Sequence, residues 1–302
     1  MFVPRRLDKF LRDATAWSVV DIRRACAAGR VVHRAPSDAR GGLVLPDRLV
    51  FEEDNVFVDG AIVRPKEQHH YVVLNKPPFV TSTASDPDGR TDLRPWLREM
   101  PLGTFPVGRL DRETSGALLF TDDGDFANAM LQPDHHTEKL YWLWLDESLT
   151  ENDPRLLACV AGVPVLSQPV PLRATAALVL NSTADYTELH IVLDEGKNRQ
   201  IRKMCNALHL KLLGLHRKAI GQLQIVDLAV GQWRFLSGSE VEQLWLSSGG
   251  KERVERAKLD ALHRMLQTSR EASPQLERLA TWLEVHDPAF TPMPSPHQTY
   301  TK

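Results

Sequence analysis

The sequence predicts a mixed α and β protein of about two domains, a small one in front of a larger one. Three observations predict it. The chain has 302 residues, enough for about two hydrophobic cores. Helix-spaced apolar residues near the N-terminus give way, after a linker at Arg64–Gln68, to a new set of apolar blocks. Those later blocks alternate between strand-like and short helical patterns.

Composition bounds the class. Apolar residues make up 42% and charged residues 25%, as in ordinary globular proteins. No run of 18 apolar residues occurs, so no membrane span is expected. Met1-Phe2-Val3-Pro4-Arg5-Arg6 lacks the apolar core of a signal peptide. Cys26, Cys159 and Cys205 are scattered and odd in number, which argues for a reducing compartment and against a disulfide framework or zinc site. A cytoplasmic protein without a metal is therefore expected. The net charge is −2, but its distribution is uneven. Residues 1–34 hold eight Lys or Arg against three Asp, and residues 196–218 hold seven and no acid. Two basic zones on a near-neutral chain suggest two places for phosphates. Solvated faces balanced by acids elsewhere are the plainer alternative.

The elements follow in order. Leu7, Phe10 and Leu11 set the apolar side of a first helix. Ser18 or Asp21 can cap a second helix over Asp21–Ala28, stopped by Gly29. Residues 33–50 are loose, with Pro36, Gly41, Gly42 and Pro46, and Val56–Gly60 reads as a strand and turn. Tyr71–Lys76 is a strand that ends at Pro77-Pro78. A turn at Asp86–Gly89, a short helix over Leu93–Glu99 and a buried strand over Ala117–Phe120 come next. Thr121 or Asp122 can cap a helix over Asp125–Gln132. His135-His136 reads as surface loop, without metal-site spacing. Lys139–Leu145 is an aromatic-rich strand, Pro154–Ala161 a helix, and Leu172–Val179, Tyr186–Leu193 and Lys211–Ile225 are strand-like. Lys251–Gln267 and Pro274–Val285 are helical, and the Pro-rich stretch Pro288–Lys302 is expected to be disordered.

Two stretches carry chemistry. Gly108-Arg109-Leu110-Asp111-Arg112-Glu113-Thr114-Ser115-Gly116 is a polar loop running into the strand Ala117–Phe120. A carboxylate on a Gly-flanked loop beside a rigid strand is well placed for a substrate. The competing role for Asp111 is structural, pairing with Arg109 or Arg112. In Gly196–Leu208, Asn198 is a plausible N-cap, and Ile201, Met204, Cys205 and Leu208 form one apolar stripe. Arg199, Arg202, Lys203 and Asn206 repeat that spacing on another face, which suits phosphate or carboxylate binding.

These stretches resemble the signature motifs of the RsuA-type ribosomal RNA pseudouridine synthases. The loop matches Gly-Arg-Leu-Asp-x-x-Thr-Ser-Gly, Lys139-Leu140-Tyr141 matches Lys-x-Tyr, and Gly196–Met204 follows Gly-x-Asn-Arg-Gln-Ile-Arg-x-Met. Asn75-Lys76-Pro77 and Gly231-Gln232-Trp233-Arg234 are also similar to the group. The resemblance implies an α+β catalytic domain on a mostly antiparallel sheet over 66–247. It also implies a small RNA-binding domain over 1–64, like that of ribosomal protein S-four (alpha-L motif), with an atypical middle. Residues 248–302 fall outside it as a helical extension and tail.

By the same resemblance Asp111 is the essential residue, Arg202 keeps it charged and oriented, and Tyr141 stacks on the uracil. Arg109 fills the space left by a flipped base. Lys139, Asn198, Arg199, Gln200 and Lys203 bind substrate, and Arg5, Lys9, Arg23, Arg24 and Arg30 bind RNA through the N-terminal domain. The implied partner is ribosomal RNA, large-subunit by preference, and the implied state a monomer. The reaction breaks the C1′–N1 bond of a uridine and joins C5 to C1′, with no redox change and no water consumed, so no cofactor is expected. One carboxylate can suffice, because the detached base is itself the returning nucleophile. Two rivals stand beside this reading. A non-catalytic RNA-binding factor would not need Asp111, Tyr141 and Arg202 together. A carbohydrate-active or nucleoside hydrolase would need a second carboxylate, and the loop offers only Glu113.

Overall fold

The computed structural model describes residues 2–36, 42–132, 137–268 and 273–287. Residues 37–41, the pair His135-His136 and the stretch 288–302 lie outside the described residues. The chain forms two units, one of Met1–Glu67 with Lys251–Lys302 and one of Gln68–Gly250.

The first unit contains β1 (Arg5–Arg6), α1 (Leu7–Thr15), α2 (Val19–Ala27), β2 (Val31–Arg34), β3 (Gly42–Leu43), β4 (Leu49–Val50), β5 (Asn55–Val58) and β6 (Ala61–Val63). Leu7, Phe10 and Leu11 are buried at helical spacing, and the Ser18 side chain accepts the Asp21 amide to cap α2. Four strands pair in the order β3-β2-β5-β6.

The second unit begins with β7 (Tyr71–Lys76), α3 (Arg94–Glu99), β8 (Phe105–Val107), β9 (Ser115–Thr121), α4 (Gly124–Leu131) and β10 (Lys139–Leu145). It continues with α5 (Pro154–Ala161), β11 (Ala176–Ser182), β12 (Thr187–Leu193), α6 (Gln200–Ala207), β13 (Leu212–Ile220), β14 (Leu223–Gln224), β15 (Trp233–Phe235) and α7 (Gly238–Ser247). Its strands form one sheet in the order β11-β12-β10-β13-β9-β7-β15, with β14 beside β13 and β8 beside β9. Every pairing is antiparallel except that of β9 with β13. A mixed α+β domain on a mostly antiparallel sheet is what the resemblance implies. Leu189, Ile191 and Leu193 of β12 point inward and join Leu143, Leu145, Ile201, Met204 and Cys205 in one core. Val72, Leu74, Leu118 and Phe120 build another beside Leu110.

Some details differ from the sequence expectation. The helix after β9 is capped by Asp123, whose carboxylate accepts the amides of Asp125 and Phe126. Thr121 is occupied otherwise, donating to the His70 carbonyl and accepting the Asp123 amide. The strand expected from Leu172 begins at Ala176, because Leu172 makes only an isolated bridge to Val163.

Two last helices, α8 (Gly250–Thr268) and α9 (Pro274–His286), complete the first unit. Leu262, Leu279 and Leu283 share a core with Val3, Leu49 and Phe51. Arg278 donates to Asp54 at 2.7 Å, and Asp54 also holds His33 at 2.7 Å; both the Asp54 and His33 side chains are fully buried. Burial opposes the Asp54 charge, but His33 and Arg278 hold its carboxyl below the usual range. The segment that sequence analysis set apart as an extension is thus packed into the unit formed by the N-terminus.

Candidate active site

The parallel pairing of β9 and β13 sets the site. Gly116 lies opposite Arg217, and a Cβ on Gly116 would stand 2.2 Å from the Arg217 carbonyl oxygen. Gly116 also has φ +108°, so only glycine permits this approach. On the other side of β13, Arg217 faces Tyr141 of β10 in antiparallel register. The loop before β9 therefore arrives beside two strands that carry Tyr141 and Arg217.

That loop is pinned on both sides of Asp111. The Ser82 hydroxyl donates to the Leu110 carbonyl at 2.7 Å and accepts the Leu110 amide at 3.1 Å. The Arg112 carbonyl accepts the Phe79 amide at 2.6 Å. The Thr114 amide donates to the Asp111 carbonyl at 3.0 Å. Lys76, at the end of β7, is completely buried, and its ammonium donates to the carbonyls of Pro77 and Val80 at 2.8 Å each. The Arg112 carbonyl is 3.5 Å from the same nitrogen. Burial pushes the Lys76 ammonium down to about 8, against the pull of the Glu113 and Asp111 charges. Lys76 thus supports the Asp111 loop, a role that reading Asn75-Lys76-Pro77 as a strand end missed. A charged residue closing an otherwise apolar strand was the available signal.

Helix α6 supplies the basic side. The Arg202 guanidinium lies 3.7 Å from the Asp111 carboxylate through Nε and donates to the Thr114 hydroxyl at 3.2 Å through Nη2. Both side chains are mostly enclosed, at 19% and 25% exposure. The structural alternative, Asp111 paired to Arg109 or Arg112, is not what forms. Arg199 instead meets Glu113 at 3.1 Å, in a more exposed pair. Burial opposes it, but its own backbone amide and Arg199 hold the Glu113 carboxyl below the usual range.

The N-cap of α6 is Arg199, in the left-handed region at φ 53°, and not Asn198. The preceding loop is held by Gln200, which is buried. Its side chain accepts the Lys197 amide at 3.1 Å and donates to Glu195 at 2.8 Å and to the Arg173 carbonyl at 3.0 Å. This network occupies Gln200 with the loop, where sequence analysis gave it a substrate.

An open cavity of about 910 Å³ collects these groups. Asp111, Tyr141 and Arg202 all line it, as do Arg109, Lys139, Asn198, Arg199 and Gln200; Lys203 does not. Arg109 is exposed at its edge and makes no ion pair among the described residues. Eight basic side chains (Arg90, Arg109, Arg112, Lys139, Lys197, Arg199, Arg202, Arg217) line the cavity against four acidic ones (Asp111, Glu113, Asp194, Glu195). Such a surplus attracts a polyanion although the whole chain is slightly acidic. The cysteines lie elsewhere, and burial pushes the Cys205 thiol up to about 12 and the Cys159 thiol to about 11, so neither is an activated nucleophile.

A protein of Aquifex aeolicus described as an uncharacterized RNA pseudouridine synthase is 30% identical over 249 residues, covering 82% of this chain and 96% of its own. This chain belongs to the RNA pseudouridine synthase family. Residues 70–207 match the RNA pseudouridylate synthase family itself, a span that contains Asp111, Tyr141 and Arg202. The ribosomal small subunit pseudouridine synthase A of Haemophilus influenzae is 29% identical over 79% of this synthase and 99% of its own chain. The dual-specificity RNA pseudouridine synthase RluF of Escherichia coli is 29% identical over 80% of this chain and 78% of its own. A crystal structure of a pseudouridylate synthase superposes with a TM-score of 0.54 at 27% identity, covering 80% of this synthase and 99% of that chain. The enzyme is thus an RNA-modifying isomerase of the RsuA-type group.

The N-terminal basic residues lie in the other unit. Arg5 pairs with Asp13 at 3.0 Å, and Arg24 stands 4.0 Å from Asp21. Arg30 donates to Asp59 at 2.7 Å and lies over the Trp17 ring. Lys9 is half-buried and Arg23 is exposed. Among the described residues no group of three or more His, Cys, Asp or Glu could hold a metal ion. No described helix is long and apolar enough to cross a membrane.

Proposed function

We propose that this synthase converts a specific uridine of ribosomal RNA to pseudouridine in the cytoplasm, with Asp111 as the group that acts on the sugar. The observation that carries the reading is the meeting of Asp111 with Arg202 at 3.7 Å in a basic cavity shared with Tyr141. A uridine flipped out of its helix fits a cavity of about 910 Å³. Tyr141 offers a ring for the uracil to stack on, and Arg109 is free to take the vacated space in the RNA. Asp111 either attacks C1′ or takes the 2′ proton, and in both cases the C1′–N1 bond gives way and C5 then closes onto C1′. Pairing to Arg199 engages Glu113, the other carboxylate of the loop, and this disfavours a hydrolase that would use it to activate water.

The first unit, with its paired α1 and α2 and exposed Arg23, is read as an RNA-binding domain of the S-four kind that works with a monomeric enzyme. The names of relatives point to small-subunit RNA or to dual specificity, so the large-subunit preference draws no support from them. Pseudouridine mapping of total RNA from cells with and without the protein tests the reading. Loss of one or a few ribosomal sites is expected, and an unchanged ribosomal map contradicts it.

A further inference from the structure

Arg217 was not singled out by any motif, yet it is among the most enclosed charges of the molecule. It is 6% exposed and lines the cavity that holds Asp111 and Tyr141. Its Nε donates to the Ala117 carbonyl at 2.7 Å, which fixes the guanidinium plane against β9. It makes no ion pair with a carboxylate among the described residues. A buried guanidinium without an anion is costly, so a retained one is expected to meet an anion that comes and goes. Arg217 shares the sheet face of Tyr141, its partner in register, whereas Arg109 and Arg199 are exposed at the rim. The part of a flipped nucleotide that reaches an enclosed floor is the base; phosphates stay at the rim.

The base does carry a charge during the reaction. When the C1′–N1 bond breaks, the electron pair leaves with N1, and the negative charge spreads onto O2 and O4 of the uracil. This is so whether Asp111 bonds to C1′ or removes the 2′ proton. The uracil then turns, C5 supplies the pair that bonds C1′ as the Asp111 carboxylate leaves C1′ or returns the 2′ proton, C5 loses its proton, and N1 gains one. We propose that Arg217 contacts the detached uracil and holds it as an anion while it turns. A fixed guanidinium offers planar donors to carbonyl oxygens, and donors aimed at developing charge in an enclosed site act mainly on the transition state. The charge of Arg217 is felt by its neighbours: burial first, and Arg217 next, hold the Lys139 ammonium below its usual range. The inference rests on the assignment of Asp111 and Tyr141 made above.

The test compares Arg217→Gln and Arg217→Lys with the wild type in single turnover on RNA carrying uridine or 5-fluorouridine, following loss of the starting nucleoside. Fluorine at C5 withdraws electrons and stabilises the uracil anion without the protein. Arg217→Gln should slow uridine consumption at least about 100-fold, with RNA affinity and its salt dependence unchanged. Arg217→Lys, which keeps the charge, should lose less. The deficit of both variants should shrink at least about tenfold on 5-fluorouridine. Melting curves identify a variant that fails to fold, and Arg217→Lys then carries the comparison alone. An equal deficit on both substrates overturns the proposal and leaves Arg217 a structural residue. So does a loss of affinity with a salt slope reduced by about one, which marks a phosphate contact. Asp111→Asn serves as the separate control: activity in that variant would overturn the active-site reading itself, whatever Arg217 does.

Discussion

Replacing Arg202 by Ala removes the one cation that forms an ion pair with Asp111 among the described residues. At the observed 3.7 Å, and with an effective dielectric of ~20, the two charges attract by about 4 kcal/mol. Both side chains keep some access to water, which lowers the effective figure to about 2–3 kcal/mol. The Arg202 guanidinium is engaged by Asp111 and Thr114, so the loss should appear in turnover. About 2–3 kcal/mol corresponds to roughly a 30- to 150-fold slower single-turnover rate. Affinity for RNA and its salt slope should change little. Arg199→Ala is the contrasting variant. Its pair with Glu113 is near 40% exposed on both sides, so it should cost little stability and instead reduce affinity and salt slope. Pseudouridine formation in single turnover, with binding measured at several salt concentrations, separates the two. If Arg202→Ala loses mainly affinity, with a salt slope lower by about one, Arg202 is a phosphate clamp and the pairing has no catalytic meaning.

Three further predictions concern the scaffold. Gly116→Ala should destabilise the protein by roughly 3–5 kcal/mol and abolish activity, since the new Cβ meets Arg217 backbone that cannot yield; a denaturation midpoint close to wild type refutes this. Lys76 is depressed to about 8 from a usual 10.5, so its buried charge costs stability at all pH values below 8 and the cost fades as pH rises to 10.5. The stability of wild type relative to Lys76→Met should therefore rise by on the order of 3 kcal/mol across that interval, and a flat difference contradicts the buried charge. A fragment of residues 68–250 should fold alone and bind RNA with a weaker salt dependence, whereas deleting only 1–64 should leave α8 and α9 without their core and promote aggregation. A salt slope for 68–250 equal to that of the full chain would refute the first half, and equal solubility of the two truncations the second.

The sequence made the catalytic unit legible because its decisive residues sit in short, ordered motifs. Asp111 and Arg202 are 91 residues apart, but each stretch has a local pattern, and the structure brings the two together. Strand β12 was readable from its alternation, and α5 coincides with the predicted Pro154–Ala161. Three features were not readable, for separate reasons. Helical periodicity shows that α8 and α9 exist, but which surface covers Leu262, Leu279 and Leu283 is a tertiary fact. The start of α6 was misplaced because Arg199 adopts a left-handed backbone held by the buried Gln200 network, which no N-cap rule anticipates. Lys76 and Arg217 lie in strands rich in apolar residues, where a cation gives no sign of its partners and becomes meaningful only through its neighbours in the sheet.

The central claim is that the Asp111 carboxylate acts on the sugar of a bound uridine. The direct measurement is pseudouridine formation by purified Asp111→Asn on ribosomal RNA from cells lacking the protein, beside RNA affinity and a melting curve. Asn keeps the shape and loses the charge. No pseudouridine above background is expected, with affinity and melting temperature near those of the wild type. Conversion at a rate close to wild type would show that another group performs the reaction.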